Sequence, residues 1–331
     1  MSELADDYRQ ARDAAALFDE SDRGKVELTG PDAPSFLHNL CTNDVANLPL
    51  GGGCEAFFTT AKAKVVAHAL IYHVRIAGGR DALWLDVAAG QATRLVEHLD
   101  HFLISEQVEF ADRTADFAQF HLAGPTAQAV LEKALGESVP DLGTLQHMER
   151  TFGTNATCHI RRHDPLALPG YDIVCLRSRG ADVRQRLIDS GAVAAGAEAF
   201  EVLRVEAGMP EFGKDIDENR FAVEVGRTDA ISYTKGCYLG QEPIVMARDR
   251  AGHVNRAFRG FKFNEASPAA GVELVAAGKA VGLITSTAVS PRLGPVGLGY
   301  VRRGQEAPGT VLEVGAVGSG RTAQVAALPM M

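Results

Sequence analysis

The sequence predicts an α+β fold, two related α+β lobes followed by a small all-β domain, and three observations carry that expectation. Short β-rich runs and amphipathic helical runs intermingle over residues 1–251. Within that region one pattern occurs twice: Leu28-x-Gly30-Pro31-x-Ala33-x-x-Phe36-Leu37 returns 94 residues later as Leu122-x-Gly124-Pro125-x-Ala127-x-x-Val130-Leu131. After Arg256 the texture changes, and Gly260, Gly271, Gly278, Gly282, Gly294, Gly297, Gly299, Gly304 and Gly309 punctuate short β-branched runs, the pattern of a small all-β domain over residues 252–331.

Each copy of the repeat (28–37 and 122–131) reads as a short strand running into Gly-Pro. The proline is expected at the first helical position, where its missing N–H costs nothing. Two copies so far apart describe two related lobes and not a solenoid. Residues 54–60 and 65–74 read as strands separated by a turn at 61–64, and 82–87 as a further strand. Residues 91–102 read as a helix with Leu95, Val96, Leu99 and Phe102 on one face. Residues 117–122 and 172–177 are expected to be strands, and 181–189 and 200–206 helices. Pro243 fits the first turn of a short helix that Ile244 to Arg248 can continue and Gly252 can end.

Composition narrows the function classes by exclusion. A chain of 331 residues suggests about two domains. Its formal charge of −9 argues against general nucleic-acid or anionic-membrane binding. The five cysteines (Cys41, Cys54, Cys158, Cys175, Cys237) are odd in number, scattered and without a CxxC pair. That speaks against a disulfide framework, a zinc knuckle or an iron–sulfur ligand set, so no metal site is read, and it suits a reducing cytoplasmic setting. Residues 1–10 are acidic and polar with no hydrophobic signal core, and no run of about 18 apolar residues occurs, so no membrane span is expected.

The most informative segment is Lys235-Gly236-Cys237-Tyr238-Leu239-Gly240-Gln241-Glu242. It sets a thiol two residues from a lysine, between two glycines and just ahead of a short helix. The positive end of the helix dipole and the Lys235 charge both favour thiolate, which a reactive or ligating cysteine requires. The competing reading is a small buried residue in a tight glycine turn. Glu242 suits a helix start through the dipole alone, and Tyr238 and Gln241 either position Cys237 or pack.

This octapeptide resembles the signature of the YgfZ-type folate-binding proteins, a branch of the superfamily that contains the glycine-cleavage T-protein, an aminomethyltransferase. The resemblance extends through Arg248, Arg250, Gly252 and Arg256, and upstream through Leu203-Arg204-Val205-Glu206-Ala207-Gly208-Met209-Pro210, Phe212-Gly213 and Asp215. It also takes in Val26 to Ala33, Thr42-Asn43-Asp44-Val45, Thr285-Ser286 and Ser290-Pro291. The resemblance implies that the terminal domain is a β-barrel and that the lobes enclose a pocket for tetrahydrofolate. It implies a role in assembling or repairing the iron–sulfur clusters of client proteins, with Cys237 essential and folate, clients and assembly factors as partners.

The folate contacts carried over are Asp172 for the pterin edge, Phe200 for ring stacking, Arg23 where some relatives have an aromatic, and Arg248 and Arg256 for the anionic tail. Each has a plainer reading: a turn aspartate for Asp172, helix packing for Phe200, solvated charge for the arginines, and backbone orientation in the 208–210 turn for Glu206. Aminomethyl transfer needs a carboxylate near the folate nitrogen. The T-protein supplies it from an Asp-Asp pair before a Leu-Ile-x-Tyr strand, whereas this chain has Ala67-His68 before Ala69-Leu70-Ile71-Tyr72. A folate-dependent aminomethyltransferase or demethylase is therefore the alternative and not the first expectation.

Overall fold

A computed structural model describes residues 2–330 except Ala77, Thr154 and Val317, with only the backbone described at Ala251. The first lobe is an antiparallel sheet whose strands run in the order Gly53–Thr59, Val65–Ile76, Arg80–Val87, Gly24–Thr29, Glu109–Asp112. Alternation sorts its side chains. Leu83, Leu85 and Val87 turn to the core under helices Ala33–Leu40 and Ala92–Asp100, while Ala82 and Trp84 turn to the other lobe.

The second lobe orders its strands Val193–Ala194, Ala16–Asp19, Phe117–Ala123, Gly170–Leu176, Ala156–Arg162, His147–Phe152. One face is covered by helices Ala127–Leu135 and Gly180–Asp189, and helices Glu3–Asp13 and Ala197–Ala207 pack over Phe18. Ala16–Asp19 precedes every strand of the first lobe yet pairs in the second, so the chain crosses between lobes at residues 20–23. The lobes meet sheet to sheet, with Leu70, Tyr72, Val74 and Trp84 against Leu145 and Val174. The terminal domain is a closed six-stranded barrel that begins at Arg256–Phe263.

The repeated motif is structural and its glycine is the reason. Gly30 and Gly124 have φ of +113° and +133°. A Cβ there would lie 2.0 Å from the Gln107 carbonyl oxygen and 2.3 Å from that of Ala14. The prolines stand two residues before the helices proper, in turns closed by Ala33 N–H to Gly30 O (3.2 Å) and Ala127 N–H to Gly124 O (3.0 Å). The positive-φ glycine redirects the chain before the helix can start, which moves proline from the expected first helical position into the lead-in turn.

Candidate functional site

A cavity of about 250 Å³ opens between the lobes, and Arg23, Asp172 and Phe200 all line it, with Glu20, His68 and His121. Arg23 arrives on the crossover between sheets. Its Nε donates to Asp86 Oδ1 at 2.5 Å, and Asp86 accepts Arg161 Nη1 on its other oxygen at 3.2 Å. Asp86 and Arg161 are each 1 % exposed and come from opposite lobes, so one carboxylate holds two guanidiniums across the interface. Arg23 lines the cavity with its guanidinium paired to Asp86.

Asp172 does not sit in a turn. It is the third residue of strand Gly170–Leu176, 2 % exposed, and each of its oxygens lies 2.8 Å from a histidine Nδ1, His121 on Oδ1 and His163 on Oδ2. Burial alone would raise its carboxyl, but the two imidazoles hold it well below the usual carboxylate range. Phe200 forms part of the wall, edge-on to Phe18 (5.3 Å between centroids) and to His121 (6.0 Å). Its packing and its cavity exposure are therefore both real.

Glu20 lines the cavity with no sequence signal behind it. Glu20 is half-buried, and burial pushes its carboxyl up to about 7, with Arg23 and His121 pulling the other way. The folded state thus holds this proton more tightly than the unfolded chain, whose value is near 4.5. Stability should fall as pH rises from about 4.5 through 7. Glu20→Gln is accordingly expected to raise the melting temperature at pH 8 but not at pH 4, read by calorimetry at the two values. His68, marked in the sequence by its place in the Ala67-His68 pair, also lines the cavity, whereas Ala67 is packed in the first lobe's core. His68 Nε2 lies 2.5 Å from Glu55 Oε1, and Glu55 also accepts Arg227 on both oxygens at 2.8 and 2.6 Å.

The cysteine octapeptide lies elsewhere on the first lobe, with Tyr238 packed against Phe57 and Ile244. Cys237 is exposed, unlike Cys41, Cys158 and Cys175, which are buried, and Cys54, which is half-buried. That removes the buried-turn reading. The Lys235 ammonium is taken up by backbone carbonyls. It donates to the carbonyls of His38, Cys41 (2.8 Å) and Asn43 (2.8 Å), closing the C-terminal end of helix Ala33–Leu40, where a cation is favoured. Helix Gln241–Val245 does follow, with Pro243 in its first turn, and the chain winds on as a π-helix over Met246–Ala251 to end at Gly252, φ +63°. Gln241 is half-buried and Glu242 exposed.

The two glycines differ. Gly240 has φ +82°, and a Cβ there would meet Thr59 Oγ1 at 2.4 Å and Thr60 O at 2.5 Å, while nothing lies within 4 Å of one at Gly236. Gly240→Ala is expected to cost on the order of 1–3 kcal/mol and Gly236→Ala about 0.5 or less, measured by urea unfolding. Arg248 is exposed, paired with Asp249 and stacked 4.4 Å over Tyr233, and Arg256 is exposed at the start of the barrel. Neither lines the cavity, because the segment after the octapeptide runs to the barrel and not between the lobes.

Helix Ala197–Ala207 ties these parts together. Buried Arg204 donates to Glu201, to Asp215 (2.7 Å) and to Ser286 of the barrel (2.9 Å). Glu206 accepts the Tyr8 hydroxyl at 2.9 Å and that of Ser290 in the barrel. Glu206 is thus a joint between the N-terminal helix and the barrel; the 208–210 turn is set by Gly208, which caps the helix at φ +73°, and by Arg204 Nη1, which donates to the Met209 carbonyl at 2.6 Å.

Comparison with known proteins agrees with this architecture. The family described as GCVT N-terminal domain matches residues 1–235, and the glycine cleavage T-protein C-terminal barrel domain matches residues 256–331. An aminomethyltransferase of Halothermothrix orenii is 26 % identical over 99 % of this chain and 91 % of its own length. A putative chloroplastic transferase of Arabidopsis thaliana is 29 % identical over 93 % and 70 %. The crystal structure of aminomethyltransferase T from Bartonella henselae superposes with a TM-score of 0.88 at 23 % identity, covering 99 % of this chain and 89 % of that one. With both domains matched and the two lobes and barrel in the same arrangement, this chain belongs to the glycine-cleavage T-protein family.

Proposed function

We propose that the chain binds tetrahydrofolate or a derivative between its lobes and serves iron–sulfur cluster assembly or repair, not aminomethyl transfer. The observation that carries the folate part is the convergence of Arg23, Asp172 and Phe200, far apart in sequence, on one cavity. The donor set fits a pterin. Phe200 offers an aromatic wall, Asp172 an ionised acceptor, and Glu20 a carboxyl that can be held protonated near neutral pH. The cavity is sized for a flat bicyclic head, with the glutamate tail outside it. Bound folate would supply amine nitrogens that carry one-carbon units.

His68 argues against transfer. Aminomethyl transfer is served by a free carboxylate, and here the cavity presents an imidazole fixed by Glu55, itself clamped by Arg227. The iron–sulfur part rests on the resemblance of the octapeptide and on an exposed thiol at Cys237.

Titration calorimetry with tetrahydrofolate should show binding, and Phe200→Ala should weaken it by about 1–3 kcal/mol, by analogy with stacking of bases on aromatics. Unchanged affinity in a folded variant removes Phe200 from the site. The relatives named aminomethyltransferase favour the alternative of a folate-dependent transferase or demethylase. Purified protein given an aminomethyl-loaded carrier and tetrahydrofolate should form methylenetetrahydrofolate no faster than the uncatalysed control; clear turnover would promote that alternative. Lower activities of iron–sulfur enzymes in a deletion strain, with glycine catabolism intact, are expected from the first reading.

A further inference from the structure

We infer that His121, His163 and Asp172 are the ligands of a single first-row divalent transition-metal ion of the zinc type. Among the described residues they are the group of histidine, cysteine and carboxylate side chains whose ligand atoms all lie within 4.8 Å of one another. Each Nδ1 is 2.8 Å from its own Asp172 oxygen. Atoms that close can converge on an ion about 2.0–2.2 Å from each after small side-chain rotations. Two imidazole nitrogens with one carboxylate oxygen suit zinc and its neighbours better than the all-oxygen ions magnesium and calcium.

The ligands are held by the sheet. His121 and Asp172 are direct cross-strand partners, and His163 follows the end of strand Ala156–Arg162 with its N–H on the Gly170 carbonyl at 3.2 Å. Gly170 is what lets them gather, since a Cβ there would come 2.8 Å from His121 Cε1 and 2.7 Å from the His163 carbonyl oxygen. Phe18 stacks beside the His121 ring and Phe200 meets it edge-on, so the imidazole has little freedom to turn. His121 Nε2 is buried with no partner, and the His163 carbonyl borders the same space. Asp172 contributes the carboxylate oxygen of the set. Three protein ligands leave a tetrahedral ion one open position, and all three line the cavity. With the ion in place Asp172 no longer accepts from the pterin edge, a contact then left to Glu20, while Arg23 and Phe200 keep their places in the same cavity.

The test needs no folate, so it succeeds or fails separately from the folate reading. Chelator-stripped protein is dialysed against Zn²⁺ or Co²⁺ and its metal content measured by mass spectrometry, with Co²⁺ visible absorption as the coordination signature. About one ion per chain and four-coordinate Co²⁺ bands are expected. His163→Gln and Asp172→Asn, checked for folding by circular dichroism, should each weaken uptake about tenfold or more, while Cys237→Ser leaves it unchanged. No uptake by wild type, uptake unaffected in both folded site variants, or uptake lost in Cys237→Ser overturns the assignment. The three residues are then a hydrogen-bonded clamp.

Discussion

Asp86→Ala is expected to destabilise the protein by about 3–5 kcal/mol, the range for removing one partner of a buried ion pair. The variant leaves Arg161, 1 % exposed, with no anion, its Nε already without a hydrogen-bond partner. What remains around its guanidinium is the face of Tyr72 at 4.1 Å and Trp84 at 5.8 Å, which softens the loss without replacing a carboxylate. Arg23 loses its partner at the same stroke. Urea unfolding measures the effect, and a loss below about 1 kcal/mol would show that the interface does not depend on this carboxylate. An Asp86→Leu/Arg161→Met double variant should recover much of the loss, because the cost lies in the stranded charge and not in the missing attraction.

The second large effect is functional. Cys237→Ser should fold and bind folate as the wild type does and yet fail to restore iron–sulfur enzyme activities in a deletion strain. Serine keeps the size and removes the soft, nucleophilic sulfur. The exposed thiol is also the one expected to be alkylated first by iodoacetamide at neutral pH, with Cys41, Cys158 and Cys175 shielded by burial and Cys54 partly so. Located by mass spectrometry, the first adduct should be at Cys237. Full complementation by the serine variant would make the octapeptide a structural loop, a role that Gly240 and Lys235 already play.

The fold was legible because it is written in local patterns. Strand Val65–Ile76, helix Ala92–Asp100 and helix Gly180–Asp189 lie close to where apolar spacing puts them. The N-terminal helix Glu3–Asp13, strand Ala16–Asp19 and the hairpin His147–Phe152 with Ala156–Arg162 carry little signal of their own, since short segments take their pattern from partners elsewhere in the chain. The site was legible in part. Arg23, Asp172 and Phe200 reach one cavity, but Arg248 and Arg256 do not, because nearness in sequence to the cysteine motif does not carry them past the lobe interface.

Residue order alone determined the α+β class, the duplicated strand–glycine–helix unit and the change to an all-β terminal domain. It also singled out the cysteine segment. Each of these depends on interactions within a few residues, where periodicity and backbone stereochemistry decide the outcome. Only the tertiary structure decided that Lys235 turns to the end of helix Ala33–Leu40, that Asp172 is gripped by His121 and His163, and that Glu20 is buried enough to titrate near 7. Charges and hydrogen bonds act through space between groups up to 198 residues apart, and burial sets their strength; neither quantity exists until the sheets have closed on each other.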